Sequence, residues 1–299
     1  MIKRNQLLAR FTTFKIGGPA DWFCEAKNEK EILEAVKFAQ EKNLPYFILG
    51  NGSNVLVADE GVRGMVIKVK SEKLKVKSCN SKFKIMAEAG VSLNKLIDAA
   101  LKNSLIGLEF MAGIPGTLGG AVVGNAGAWQ ENIGDKVERV KILTKDGRIK
   151  WLSQRGCQFA YRQSRFKKEN KENKEDKEII LEVELNLKKV PTSMNRFIEV
   201  KMEEYLKKRE DQPQEPSAGS IFTNPKPKSA GDLIEKCGLK GKRIGQAQIS
   251  ERHANFIINL GGAKAKDVLK LITLAREVVK KKFKVNLDLE VNLVGEFHD

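Results

Sequence analysis

Gly50-Asn51-Gly52-Ser53-Asn54 closes one apolar run, at 46–49, and opens another, at 55–57. A second glycine-rich stretch, Gly113-Ile114-Pro115-Gly116-Thr117-Leu118-Gly119-Gly120-Ala121, continues through Gly124-Asn125-Ala126-Gly127-Ala128-Trp129. Glycine lets backbone amides approach a phosphate closely and tolerates positive φ, so such loops can wrap a diphosphate without a charged side chain. A tight turn explains either cluster taken alone. Two together predict a large dinucleotide held between two lobes. Neither follows a common nucleotide fingerprint. Val55 stands where a Rossmann motif needs its third glycine, no acidic residue follows at the usual distance, and no run ends in Gly-Lys-Ser/Thr.

The 299 residues can bury a sizeable core in two or three lobes. The 54 basic and 38 acidic residues leave a charge of +16, which raises nucleic acid as a partner. The lysines are spread along the chain and alternate with glutamates, as at 168–178, and aromatics do not interleave with them. A solvated lysine-rich surface with an anionic small-molecule site fits this better than a nucleic-acid groove. Cys24, Cys79, Cys157 and Cys237 stand far apart, with no zinc spacing, and read as reduced thiols in a cytoplasmic protein without a signal peptide. With His253 and His298 the only histidines, a histidine metal site or a Ser-His-Asp triad is disfavoured, and no metal site is expected. Residues 110–129 carry no charge, but their glycines, Pro115 and Asn125 suit a folded loop, not a membrane span.

Helical spacing of Ile32, Leu33, Val36 and Ala39 predicts a helix at 29–43, leading to strands at 46–49, 55–58 and 65–69. Ser92 is the expected N-cap of a helix at 93–102. Strands at 137–143 and 148–152 pair around Asp146-Gly147. Residues 179–187 alternate as a half-buried strand, and the run at 167–177 before it reads as an exposed connection. Beyond Pro191, helices are expected at 197–209 and 266–283, with strands at 256–260 and 285–294. The resulting boundaries are 1–72, 73–190 and 191–299.

Three residues are chemically suggestive but weak singly. Arg162, in Tyr161-Arg162-Gln163-Ser164, offers a planar fork for a carboxylate, though an isolated arginine is more often a surface residue. Ser220, in Ala218-Gly219-Ser220, reads as a turn serine. Glu290 shares the polar face of 285–294 with Asp288, which a solvated strand face explains equally.

The motifs already quoted, with Thr12-Thr13-Phe14-Lys15-Ile16-Gly17-Gly18-Pro19-Ala20 and Leu287-Asp288-Leu289-Glu290-Val291, together resemble the UDP-N-acetylenolpyruvoylglucosamine reductase family. The resemblance covers nearly the whole chain, in order, and is closest to the shorter of the two family types. It implies an α+β fold: a two-lobed FAD-binding domain of the PCMH, or vanillyl-alcohol-oxidase-like, type, with lobes at 1–72 and 73–190, and a C-terminal α+β domain at 191–299 for the UDP-sugar. It implies noncovalent FAD, NADPH as electron donor, and a monomer in the cytoplasm that binds neither nucleic acid nor membrane.

The implied reaction reduces the enolpyruvyl ether of UDP-N-acetylglucosamine to UDP-N-acetylmuramate for peptidoglycan synthesis. Arg162 would neutralise the substrate carboxylate, Glu290 in its acid form would donate a hydrogen bond to it, and Ser220 would give a proton to the carbanionic carbon. Gly50, Asn51, Gly52, Ser53 and Asn54 would hold the FAD diphosphate with Gly113, Pro115, Gly116, Thr117, Gly119, Gly120, Asn125 and Ala126. Asn54 and Thr117 are the expected side-chain donors in these loops. Tyr161, Asn224 and His253 would meet the substrate, while Thr223 stands where many relatives carry lysine. Another flavoenzyme of the same fold, a sugar or alcohol oxidase, is the alternative, but it has no reason to carry Ser220 and Glu290 in their motifs.

Overall fold

The computed structural model describes residues 1–79, 82–167 and 178–297, so the charged run at 168–177 lies outside the described residues. The chain packs into two units, each assembled from separated segments. The first comprises Met1–Ile2, Cys24–Asn51 and Val66–Arg209; the second comprises Lys3–Phe23, Gly52–Met65 and Glu210–Asp299. The helix beyond Pro191, Asn195–Lys207, packs within the first unit, where Tyr205 donates to Glu131 at 2.9 Å.

The first unit is built on an antiparallel sheet ordered Ile149–Ser153, Val137–Leu143, Ile179–Lys189, Lys82–Glu88, Leu74–Cys79. The hairpin around Asp146-Gly147 has the expected register, with Leu143 opposite Ile149. Strand Ile179–Lys189 is central and buries more than the half read from its alternation, because Ile180 and Glu184 on its other face are also buried. Glu184 is closed off by Lys84 at 2.6 Å and Arg139 at 2.7 Å from the neighbouring strands.

Helix Leu93–Lys102 buries Leu93, Leu96, Ile97 and Ala100 at helical spacing, and the Ser92 hydroxyl accepts from Lys95 N at its start. Helix Glu29–Glu41 has a reciprocal cap: Asn28 accepts from Glu31 N, and the Glu31 carboxylate accepts from Lys27 N. Within the second glycine stretch, read from the sequence as a loop, Leu118–Gly124 is a short helix. Thr117 caps it by accepting from Gly120 N. Gly119 allows its close approach to Ala89, where a Cβ would stand 2.8 Å from the alanine methyl group.

The second unit holds an antiparallel sheet ordered Ser217–Ser220, Phe256–Asn259, Ala247–Ile249, Arg243–Ile244. Helix Ala265–Phe283 buries Val268, Leu271, Ile272, Ala275 and Val279 in a core shared with Phe14, Ile16 and Leu56 from the N-terminal segments. Each fully buried Leu, Ile or Val there contributes roughly 1.5–3 kcal/mol. Polar bonds tie the same segments: Asn259 donates to Phe14 O at 3.0 Å, and both Asp59 oxygens accept from the first helical amides, Ala265 and Lys266. Among the described residues no helix is long and apolar enough to cross a membrane.

The segment 285–294 departs from its reading as a continuous strand. Only Asn292–Val294 forms a ladder, parallel to Val55–Val57, and Leu289 makes a single bridge to Phe222. Leu287 and Val291 are buried, but Leu293 is exposed and Val294 buried, so the alternation holds only as far as Val291. The backbone, however, changes partner partway along, and no single strand pairs with it throughout.

Buried Asn259 also accepts from Gly261 N and Ala263 N, so Asn259→Ala strands several polar groups. We expect a loss of about 3 kcal/mol in denaturant unfolding for Asn259→Ala, against about 1 kcal/mol for Asp59→Ala, which removes a helix cap.

Candidate active site

In the first unit the two glycine stretches abut. Asn51 donates through its side-chain amide to Gly116 O at 3.3 Å, and a Cβ on Gly50 would stand 2.5 Å from Thr117 Oγ1. The Gly50 carbonyl is taken by Lys68 Nζ at 2.8 Å. Lys68 is buried, which pushes its ammonium below the ordinary lysine range, with the Lys70 charge adding to the effect. In the second unit Gly52 has φ of +64°, and a Cβ there would lie 2.3 Å from Phe11 O, so only glycine fits.

The backbone amides of Asn51, Gly52 and Asn54, and those of Gly116 and Thr117, have no acceptor among the described residues. Unsatisfied amides in tight glycine loops are what a polyphosphate requires, so Asn51, Gly116 and Thr117 of the first unit suit the diphosphate of FAD. Gly119 and Gly120 act differently, because their amides are committed to Ala89 O and Thr117 Oγ1. Ala126 has both backbone groups bonded, to Ala121 O and Ile133 N, and offers a ligand only its methyl group.

Arg162 sits at the tip of a two-residue turn closed by mutual bonds between Ala160 and Gln163, each 3.0 Å. Its φ is +54°, an uncommon conformation for a residue with a side chain, and one that clusters at functional sites. The turn is held from beneath. Asn125 donates to Ala160 O and accepts from Gly134 N, each at 2.9 Å, and Ser164 Oγ donates to Val123 O at 2.6 Å. This motif therefore has two parts: Tyr161 and Arg162 are presented, while Ser164 anchors. Asn125, expected at the cofactor, has both ends of its amide committed to the protein. Tyr161 is exposed, and the Arg162 guanidinium carbon lies 5.5 Å from its ring centre.

Ser220, Glu290 and Asn54 come together in the second unit. A bulge between Ser217 and Ser220, with Gly219 at φ of +73°, turns the end of that strand. Glu290 N donates to Ile221 O at 2.8 Å, immediately beyond Ser220. Asn54 Nδ2 donates to Glu290 O at 3.2 Å, and the Asn54 carbonyl accepts from Asn292 N and Nδ2. The Asn54 side chain, expected as a donor to the diphosphate, is thus bonded to the backbone of Glu290.

Asn255, absent from the sequence reading, clamps the segment after Ser220. It accepts from Phe222 N at 3.0 Å and donates to Phe222 O at 2.8 Å. Its signal was a polar residue inside the apolar run 254–258. Asn224 accepts from Ala230 N at the start of helix Ala230–Lys236, and its amide N–H groups have no acceptor among the described residues. His253 accepts at Nδ1 from Asn255 N, which places its proton on Nε2. Burial pushes its pKa below the ordinary 6.5.

Glycine loops with unsatisfied amides, beside an arginine-tipped turn, define a flavin-dependent oxidoreductase of the two-lobed kind. Comparison with known proteins agrees. Residues 20–153 match the FAD-binding domain family, and residues 211–294 match the UDP-N-acetylenolpyruvoylglucosamine reductase C-terminal domain. The reductases of Clostridium kluyveri and Caldanaerobacter subterraneus are 41% and 42% identical, covering 99% and 98% of this chain and 93% of each relative. The solved Thermus caldophilus reductase is 36% identical, with a TM-score of 0.83, covering 98% of this chain and 99% of that one. The chain belongs to the UDP-N-acetylenolpyruvoylglucosamine reductase family.

A histidine that is harder to protonate when folded costs stability only in acid. Above about pH 6.5 the unfolded and folded states bind the same protons; below it the unfolded chain binds more, and stability falls. His253→Gln should flatten the decline in melting temperature between pH 6.5 and 5, measured by calorimetry.

Proposed function

We propose that this chain is an NADPH-dependent flavoenzyme that reduces UDP-N-acetyl-3-O-(1-carboxyvinyl)-glucosamine to UDP-N-acetylmuramate. The observation that supports this reading is the bond from Glu290 N to Ile221 O, which joins the backbone of Glu290 to the residue after Ser220. When bound, FAD would supply the hydride chemistry between NADPH and the terminal methylene carbon of the substrate.

Negative charge then develops on the neighbouring carbon and spreads into the carboxylate. Arg162 neutralises that carboxylate with its planar fork, and Glu290 in its acid form donates a hydrogen bond to it. A donor placed where charge develops is worth about 3–4 kcal/mol. Ser220 Oγ gives its proton to the carbanionic carbon, completing addition of two hydrogens across the double bond, and recovers a proton from solvent. Asn224 and the Nε2–H of His253 contact the uridine nucleotide, with residues 210–299 forming the substrate-binding part. We expect a monomer acting in the cytoplasm.

An anaerobic absorbance titration tests the reading. NADPH should bleach the yellow protein, and the enolpyruvyl UDP-sugar should restore its colour. Bleaching without recovery would remove the substrate assignment. Ser220→Ala should leave reduction by NADPH nearly intact and slow reoxidation by substrate at least a hundredfold; equal loss in both half-reactions would count against proton donation. Glu290→Gln still donates a hydrogen bond and should be milder than Glu290→Ala. Arg162→Lys keeps the charge but loses the fork, so unchanged turnover would exclude it as the carboxylate clamp.

A further inference from the structure

Arg162 stands at the tip of a turn whose backbone is costly to hold. A residue with a side chain at φ of +54° relaxes unless its surroundings over-determine it. Here three contacts fix the two arms of the turn, and all three land on residues 123–134. On the incoming arm the Phe159 ring lies against Gly134, where a Cβ would stand 2.6 Å from the ring, and Ala160 O accepts from Asn125 Nδ2 at 2.9 Å. On the outgoing arm Ser164 Oγ donates to Val123 O at 2.6 Å.

Asn125 is the centre of this brace. It is buried, and with its own φ of +43° it ends helix Leu118–Gly124. Gly134 N can only donate and Ala160 O can only accept, so the amide has one orientation, with Oδ1 on Gly134 and Nδ2 on Ala160. Ala160 O takes a second donor across the turn itself, Gln163 N at 3.0 Å. One carbonyl thus joins the turn's internal bond to the buried amide. Helix Leu118–Gly124 belongs to the second glycine stretch, so the brace ties the arginine turn to the cofactor loop.

We propose that Asn125 is a positioning residue for Arg162: by holding Ala160 O it sets the turn from which the guanidinium meets the substrate carboxylate. In this role Asn125 touches neither substrate nor FAD. The inference rests on the clamp function proposed above for Arg162, and it replaces the cofactor contact expected of Asn125 from the sequence.

The test uses the full-length holoenzyme with two substitutions. Asn125→Gly accepts positive φ, so the helix end survives while both side-chain bonds are lost without any added charge. Asn125→Asp keeps the acceptor for Gly134 N but as a carboxylate cannot donate to Ala160 O. The quantities read are the dissociation constants of FAD, of UDP-N-acetylmuramate and of UDP-N-acetylglucosamine, which lacks the carboxylate. Both variants should weaken UDP-N-acetylmuramate about tenfold, the worth of one well-placed hydrogen bond, and leave UDP-N-acetylglucosamine and FAD unchanged. Amide exchange at Gln163 should quicken in step, because its acceptor has lost an anchor. In an Arg162→Met background Asn125→Gly should weaken UDP-N-acetylmuramate no further, since the two residues act through one contact.

Equal weakening of both nucleotides, looser FAD with the preference for the carboxylate intact, an aspartate variant that binds as the native protein does, or a loss that adds to that of Arg162→Met would each overturn the proposal. Arg162→Met alone separates it from the reading beneath it. If the preference for the carboxylate survives that substitution, the clamp role fails and the proposal with it. A preference lost in Arg162→Met but kept in Asn125→Gly overturns the positioning role alone.

Discussion

A polyphosphate-binding loop must leave its backbone amides free of internal acceptors, and that constraint governs the glycine stretches. Such a loop cannot be stiffened by its own ladder of hydrogen bonds, so its shape is imposed from outside through carbonyls and close packing. Lys68 takes the Gly50 carbonyl, Asn51 takes that of Gly116, and the Thr117 hydroxyl fills the space where Gly50 lacks a side chain. In the second unit Phe11 O fixes Gly52 the same way. The glycines serve contact more than flexibility.

The groups expected to act on substrate are placed by a similar economy of local structure. Glu290 belongs to no regular strand; its backbone is gripped on one side by Ile221 O and on the other by Asn54. The buried amide of Asn255 in turn fixes Phe222 through both of its ends. Each bond contributes only about 0.5–1.5 kcal/mol net, but together they define one position for the backbone. The Arg162 turn follows the same logic, with Asn125 and Ser164 beneath a strained tip.

Elements whose determinants are local were legible in the sequence. The Ser92 cap, the Asp146-Gly147 hairpin and the helices near 29–41 and 265–283 follow from residues a few positions apart. What escaped was set by distant partners. The alternation in 285–294 correctly marked Leu287 and Val291 as buried, yet hydrogen-bond partners cannot be read from alternation, and the expected strand shrank to Asn292–Val294. Lys68 and Asn255 each interrupt an apolar run, a visible signal whose meaning appears only with Gly50 and Phe222 in place. Of the motif residues, Asn125 and Asn54 were found for one reason and hold structure for another.

The discontinuity of the second unit bears on how the protein is made. Phe14 and Asn259, bonded to each other, are 245 positions apart in the chain. Phe14, Ile16, Leu56 and Asp59 leave the ribosome well before the rest of the core and the helix they complete. Until those later residues are made, these apolar side chains have no permanent neighbours, so the second unit can close only across a large loop. Its earlier segments are therefore open to chaperones and proteases while the intervening chain is synthesised.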